Sequence, residues 1–161
     1  MLGNDYPEQV CSVARALEVI GERWTLLIIR DAFLGVETFD ELVDSLGITR
    51  TVLARRLAHL VEHGVLDRRR YHQRPDRHSY HLTPKGQELF GVIVVLTDWG
   101  DRHYPHPPGP PRLIRHHGCG GSVSAQLTCT DCYQRMERGD IEAVPGPGLL
   151  AAPGDRPDDR R

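Results

Sequence analysis

The chain has 161 residues, of which 39% are apolar and 26% charged, a balance typical of one folded domain with a small appendage. Its longest apolar run, which ends at Leu96, is far shorter than the roughly 20 residues of a membrane span. No secretory signal is visible at the acidic N-terminus, and four cysteines are too few for a disulfide scaffold. We therefore expect a soluble cytoplasmic protein without a membrane partner.

Charge is unevenly distributed along the chain. The formal net charge is −2, but residues 50–85 carry nine basic residues against three acidic ones. Residues 1–49 carry three arginines against nine carboxylates. A basic stretch within a mildly acidic chain is typical of a local phosphate-binding face, although a solvated surface without a partner gives the same pattern.

The first hundred residues show mostly helical periodicity. The pattern predicts a first helix that ends at Gly21 and a second helix over residues 22–33. Thr38 and Glu41 have the spacing of a capping box, in which each side chain bonds the backbone amide of the other residue. A third helix is therefore predicted to begin at Thr38 and to run to about Leu46.

A fourth helix is predicted from the Thr49 cap to about His63. At 100° per residue, one stripe of this helix is apolar and is predicted to face the core: Leu53, Leu57 and Leu60. The opposite face carries small and polar residues: Thr51, Arg55, Ala58 and Glu62. Such a face can approach another surface closely.

Strand alternation replaces helical periodicity after this helix. It predicts a strand over residues 65–71, a polar turn over 72–78 and a return strand over 79–82, followed by a helix that Thr83 caps. Helices, a tight turn and a basic hairpin in this order predict a winged helix-turn-helix, a mainly α fold with a small β-hairpin wing. A helical domain that merely carries a hairpin is the alternative.

Several short motifs along the chain carry a family resemblance. They are Cys11, residues 16–24, 27–31 and 39–42, Leu57 and Leu60 before Gly64, Tyr71, Pro75, residues 80–86, and Trp99. In this order and spacing, they resemble the HxlR-type winged helix-turn-helix regulators of bacteria over roughly residues 11–104. Ser79 departs from the pattern, because an acidic residue is common there. The resemblance implies a homodimer that binds double-stranded DNA and regulates nearby genes, often in response to a cysteine-based or small-molecule signal.

The start of the fourth helix is predicted to contact DNA bases. Arg50, Thr51 and Arg55 lie at its groove-facing start. Arg55 is the favoured base reader, because a guanidinium can donate two hydrogen bonds to O6 and N7 of guanine. Arg56 lies on the flank of the helix and is expected to contact phosphate.

The hairpin supplies the remaining predicted DNA contacts. Its first strand carries three successive arginines, of which at most two can face DNA because side chains alternate across a strand. Arginines at the wing tip are candidates for phosphate or minor-groove contact. The full predicted set is Arg50, Thr51, Arg55, Arg56, Arg68, Arg70, Arg74 and Arg77.

The helix after Thr83 is apolar on nearly all sides. A helix of this kind must be covered twice, and the simplest second cover is the same helix of a partner chain. The expected assembly is an isologous homodimer on an inverted-repeat operator. Burial of this helix by the first two helices alone is the alternative.

The C-terminal part is predicted to be separate from the DNA-binding and dimerisation domain of residues 11–109. Residues 112–144 form a short Cys/His segment, and residues 145–161 form a tail expected to be disordered. Four residues have the paired spacing of a zinc ribbon and predict a structural Zn²⁺: His116, Cys119, Cys129 and Cys132. His117 is an alternative to His116, and a metal-free site or thiols free to form a disulfide are alternatives to zinc.

Cys11 stands apart from these cysteines, beside the first helix. It is either a small buried apolar residue or, as the resemblance implies, a redox or electrophile sensor. The sequence contains no Gly-rich phosphate loop, Ser-His-Asp arrangement or open metal site, so we expect no enzyme. The predicted function is a DNA-binding transcriptional regulator, most simply a repressor. The alternative is a zinc-stabilised protein-interaction module without DNA binding.

Overall fold

Four helices form the N-terminal part of the computed structural model, which describes residues 6, 9–73 and 76–150. They are α1 (Ser12–Ile20), α2 (Thr25–Phe33), α3 (Phe39–Leu46) and α4 (Arg50–Glu62). Helix α2 begins three residues later than predicted. Residues 22–24 form a turn instead, in which the Thr25 amide donates to the Glu22 carbonyl at 3.0 Å.

Local capping interactions fix the starts of α3 and α4. The Thr38 hydroxyl accepts from the Glu41 amide at 3.4 Å, and Glu41 Oε2 accepts from the Thr38 amide at 3.1 Å, which confirms the capping box. Gly47 then turns the chain with a φ of +61°, and Thr49 accepts from the Val52 amide. The tight turn between α3 and α4 therefore forms as predicted.

The inner stripe of α4 lies at the centre of the hydrophobic core. Its three leucines are fully buried, as predicted, and pack with residues of α2, α3 and the base of the hairpin. The buried cluster comprises Ile20, Ile28, Ile29, Leu42, Ile48, Leu53, Leu57, Leu60, Val65 and Leu66. Burial of this stripe fixes the rotation of α4 and turns its opposite face outward.

The wing is an antiparallel hairpin of β1 (Leu66–Gln73) and β2 (Asp76–Leu82). Its register pairs Leu66 with Leu82 at the base, and a bulge lies between Arg70 and His72. Strand β2 begins earlier than predicted, because residues 76–78 continue the ladder despite their polar composition. The Tyr80 amide donates to the Glu37 carbonyl at 2.7 Å, which ties the wing to the loop before α3.

The region after the wing contains two helices where one was predicted. They are α5 (Pro84–Gln87), capped by Thr83, and α6 (Phe90–His103). Gly86 lies so close to the Val65 carbonyl that a side chain there would collide with it. This contact holds α5 against the base of the wing, and the chain bends before α6 begins.

The C-terminal part contains short elements on the surface. Strands β3 (Leu127–Thr128) and β4 (Arg135–Met136) pair antiparallel and precede a 3-10 turn, Arg138–Asp140. A short helix α7, Pro147–Leu150, occupies the start of the tail predicted to be disordered, and residues 151–161 of that tail lie outside the described residues. Within the described chain, no helix is long and apolar enough to cross a membrane.

Candidate nucleic-acid interface

The outer face of α4 is exposed along its whole length. Thr51, Arg55, Ala58 and Glu62 all lie on the surface, as the helical period predicts. Within the described chain, no hydrogen bond or ion pair engages the Arg55 guanidinium. The side chain predicted to read a base is therefore available to an external acceptor.

Arg50, at the first position of α4, is held by α3. Its Nη2 lies 2.6 Å from Asp40 Oδ1, and its guanidinium carbon lies 5.1 Å from the centre of the Phe39 ring. Arg50 and Asp40 lie ten residues apart in the sequence, so no local pattern predicts this ion pair. The contact positions a cation at the helix start but places a carboxylate beside it.

The Arg56 side chain is buried, contrary to the sequence prediction. Its side chain is only 9% exposed, and its Nη1 lies 3.4 Å from Glu22 Oε1. Arg56 follows Leu53 by three residues and precedes Leu60 by four, so it lies at the edge of the inward stripe of the helix. The predicted phosphate contact is therefore wrong, because the guanidinium points inward to the turn before α2.

The wing arginines that the structure describes are exposed, and each has different neighbours. Arg68 and Arg70 lie on the same side of β1, where Arg68 Nη2 is 3.0 Å from His78 Nδ1. Arg69 lies on the other side, where its Nε donates to Asp67 Oδ2 at 2.8 Å. Arg74 lies outside the described residues. The alternation that selected Arg68 and Arg70 from the three arginines matches this arrangement.

A cleft of about 360 Å³ separates the wing from the starts of α3 and α4. Arg50 lines it from the helical side and Arg77 from the wing side. Aromatic and polar side chains complete the lining: Phe39, Asp40, Tyr71, Asp76, His78 and Tyr80. The fold thus brings a cation of the helix-turn-helix and a cation of the wing to one groove.

Helix α6 is buried on one side only. Val94 is buried, and Phe90 packs on Phe33 with ring centres 5.1 Å apart. The opposite side carries an exposed apolar stripe with helical spacing: Val92, Val95, Leu96 and Trp99. The first two helices therefore do not cover α6 completely, contrary to the alternative in which they bury it alone.

Cys11 is an exposed free thiol at the N-cap position of α1. Its amide donates to the Gln9 carbonyl, and its carbonyl accepts from the Arg15 amide. The interpretation of Cys11 as a buried apolar residue is therefore wrong.

The predicted zinc ligands form two separate pairs. His116 Nδ1 lies 3.2 Å from Cys119 Sγ, so His116 and not the alternative His117 pairs with that sulfur. Backbone amides of Cys132 and Asp131 donate to the Cys129 sulfur and, with the Cys132 side chain, lower the pKa of the Cys129 thiol. Among the described residues, no group of three or more His, Cys, Asp or Glu side chains could hold a metal ion. The complete four-ligand site of the predicted zinc ribbon is therefore not assembled.

This chain is similar in sequence and in structure to known helix-turn-helix proteins. Residues 19–107 match the family model of the HxlR-like helix-turn-helix. The HTH-type transcriptional regulator Rv3095 of Mycobacterium tuberculosis is 50% identical over 140 residues, which are 87% of this chain and 89% of that protein. The crystal structure of the candidate transcription factor PA1607 matches with a TM-score of 0.75 and 34% identity, over 85% of this chain and 96% of that one.

A redox regulator is also among the similar solved structures. The reduced form of HypR matches with a TM-score of 0.54 and 29% identity, over 58% of this chain and 95% of that one. The family match and the relatives confirm the predicted resemblance and the predicted class of function. The chain belongs to the HxlR-like helix-turn-helix family of transcriptional regulators.

Proposed function

We propose that this transcriptional regulator is a homodimeric repressor that binds an inverted-repeat operator. The observation that carries the proposal is the pairing of two exposed surfaces on one small fold. One is the outer face of α4 with the basic wing, and the other is the apolar stripe of α6. The first suits a nucleic acid, and the second suits another copy of the chain.

The outer face of α4 fits a major groove. Thr51 and Ala58 are small enough to let the helix approach base edges, and Arg55 lies between them with an unengaged guanidinium. The wing then lies beside the helix, where Arg68, Arg70 and Arg77 can bind backbone phosphates. In this arrangement, the helix supplies sequence recognition and the wing supplies electrostatic attachment.

The stripe of α6 supports the dimer. Its four residues recur at intervals of three and four, which is the spacing of a helix–helix contact. Trp99 is 48% exposed, and a large aromatic side chain left half in water is typical of an interface anchor. A two-fold axis through this stripe would make the contact isologous and present two α4 helices to one face of DNA.

Cys11 supports a redox input to the same function. Its exposed thiol can react without unfolding of the domain, and the similar protein HypR is a redox regulator. We propose that oxidation of Cys11 changes operator affinity. Mild oxidation should change the affinity of the wild type but not that of Cys11→Ser, and an equal change in both proteins would exclude Cys11.

Footprinting of the purified protein on the DNA upstream of its own gene tests the proposal. A dimer should protect two stretches whose centres lie one helical turn, roughly 34 Å, apart. A single protected stretch would contradict the dimeric arrangement. No protection on this or any other promoter fragment, together with a stable partner protein, would favour the protein-interaction module instead.

A further inference from the structure

The Cys/His segment is ordered without a hydrophobic core. None of the described residues 112–144 is buried, and only Ile114, Cys129 and Met136 are half-buried. The segment nevertheless forms the β3–β4 hairpin and a second pairing between Arg115 and Ser122. Segments of about this size that lack a core usually depend on a disulfide or a bound metal.

The pairing of Arg115 with Ser122 closes a first turn, over residues 116–121. The His116 amide donates to the Gly121 carbonyl at 2.8 Å, and the Gly120 amide donates to the His116 carbonyl at 2.8 Å, with Gly120 at a φ of +70°. This turn brings His116 Nδ1 to 3.2 Å from Cys119 Sγ, and the Gly121 amide donates to the same sulfur at 3.4 Å. A side chain at Gly118 would lie against the His116 ring.

The β3–β4 hairpin closes a second turn, over residues 129–134, and this turn has the same backbone hydrogen bonds as the first. The Cys129 amide donates to the Gln134 carbonyl at 3.0 Å, and the Tyr133 amide donates to the Cys129 carbonyl at 3.1 Å. Tyr133 has a φ of +59° and is the one described non-glycine residue with a positive φ. It occupies the position that Gly120 holds in the first turn.

We propose that the two turns are half-sites of one structural zinc site, to which each contributes two ligands. The ligands are His116 and Cys119 from the first turn and Cys129 and Cys132 from the second. The repeated backbone carries the inference, since both turns place a sulfur or nitrogen ligand at their first and fourth residues.

The distance between His116 and Cys119 in the first turn is close to that between two ligands of one zinc ion. Zinc bond lengths of about 2.0 Å to nitrogen and 2.3 Å to sulfur put tetrahedral ligands roughly 3.6 Å apart. The His116–Cys119 contact of 3.2 Å therefore has to open by only a few tenths of an ångström. Because no described group of three such side chains could hold an ion, zinc must also draw the two turns together. Four protein ligands would leave no open position for a substrate.

Zinc analysis of the full-length protein tests the proposal. The protein is purified without chelator under reducing conditions, loaded with zinc, desalted and measured by mass spectrometry of the metal. The expected content is one zinc per chain. Cys119→Ser and Cys132→Ser, one from each turn, should each lose most of it, and His116→Ala should lose more than His117→Ala. Cys11→Ser is the matched control and should keep the wild-type content.

Two results would overturn the proposal. A wild-type protein that stays nearly free of zinc after loading would show that the turns hold no metal. Wild-type zinc content in Cys119→Ser or His116→Ala would show that the two turns do not share one site. A shift of the visible spectrum to that of tetrahedral cobalt on Co²⁺ loading, absent in Cys132→Ser, supports the same ligand set independently.

Discussion

Arg50 Nη2 lies 2.6 Å from Asp40 Oδ1, so the first residue of α4 is ion-paired with the second residue of α3. Both side chains are well exposed, at 67% and 62%, and such a pair adds little to stability. The carboxylate has a different consequence for binding. It partly neutralises a cation that faces the cleft between the helix-turn-helix and the wing.

Asp40→Asn should therefore bind DNA more tightly than the wild type. Removal of the carboxylate frees Arg50 for a phosphate, and the slope of log affinity against log salt should steepen by about 0.9 for one added contact. The gain should appear on operator and random DNA alike, because phosphates carry no sequence. Asp44→Asn, which removes an exposed carboxylate of the same helix, is the control. An Asp40→Asn slope equal to that of Asp44→Asn would contradict the prediction.

Arg55→Ala should reduce operator affinity by about 1–3 kcal/mol and random-DNA affinity much less. The reason is that its unengaged guanidinium lies on the exposed face of α4, where it can bond a base edge. Arg70→Ala, on the wing, should reduce the affinity for operator DNA and for random DNA equally. Fluorescence anisotropy on both DNAs measures the two effects. Equal losses for Arg55→Ala would show that Arg55 reads no base.

Arg56→Met should leave DNA affinity and its salt slope unchanged. The side chain is buried and paired with Glu22, so no cation is lost from the surface that faces DNA. Stability should also change little, because methionine fills a similar volume and the Glu22 carboxylate, whose side chain is 43% exposed, stays solvated without its partner. Anisotropy and urea unfolding are the two measurements. A shallower salt slope would mean that Arg56 does reach a phosphate.

Trp99→Asp should convert the dimer into a monomer. A carboxylate within the apolar stripe of α6 would have to be buried without a partner in the dimer. Leu113→Asp changes an exposed apolar residue outside the stripe and should stay dimeric. Sedimentation equilibrium at micromolar concentration distinguishes the two masses. A monomeric wild type, or a dimeric Trp99→Asp, would refute the α6 interface.

The capping box of α3 should make stability depend on pH. The Thr38 hydroxyl, followed by the Thr38 amide, holds the pKa of Glu41 below its usual value. Because the pKa is lower in the folded state, this stabilisation is present above the unfolded-state pKa and is lost as pH falls through the folded-state pKa.

Thr38→Ala should cost about 0.5–2 kcal/mol at neutral pH and less in acid. Thr49→Ala removes a cap that has no carboxylate partner, so its cost should vary less with pH. Urea unfolding of both variants at neutral and acidic pH makes the comparison. A Thr38→Ala cost that is constant with pH would exclude the Glu41 contribution.

Much of the fold follows from local sequence, and the rest depends on distant contacts. Thr38, Thr49 and Thr83 each cap a helix through hydrogen bonds within three residues, so their positions alone predict where helices begin. The division between α5 and α6 was missed, and the close packing of Gly86 in α5 against the Val65 carbonyl, twenty-one positions earlier, is a contact that local patterns do not show.

The candidate site shows the same division between local and distant causes. Helical period predicted which α4 residues are exposed, and strand alternation grouped Arg68 with Arg70. Arg56 was misplaced because its Glu22 partner lies on a turn that local patterns assigned to a helix. Helical period places Arg56 only at the edge of the stripe of Leu53 and Leu60, so the period alone does not decide its burial.

The most direct test of the central claim is fluorescence anisotropy of the full-length protein with its own upstream DNA and a scrambled control, across a salt titration. We expect tight binding to the upstream fragment, weak binding to the control and a steep fall in affinity with salt, at a slope of about −0.9 per phosphate contact. Weak and equal binding to both DNAs, with a shallow slope, would contradict the assignment of α4 and the wing as an operator-binding surface.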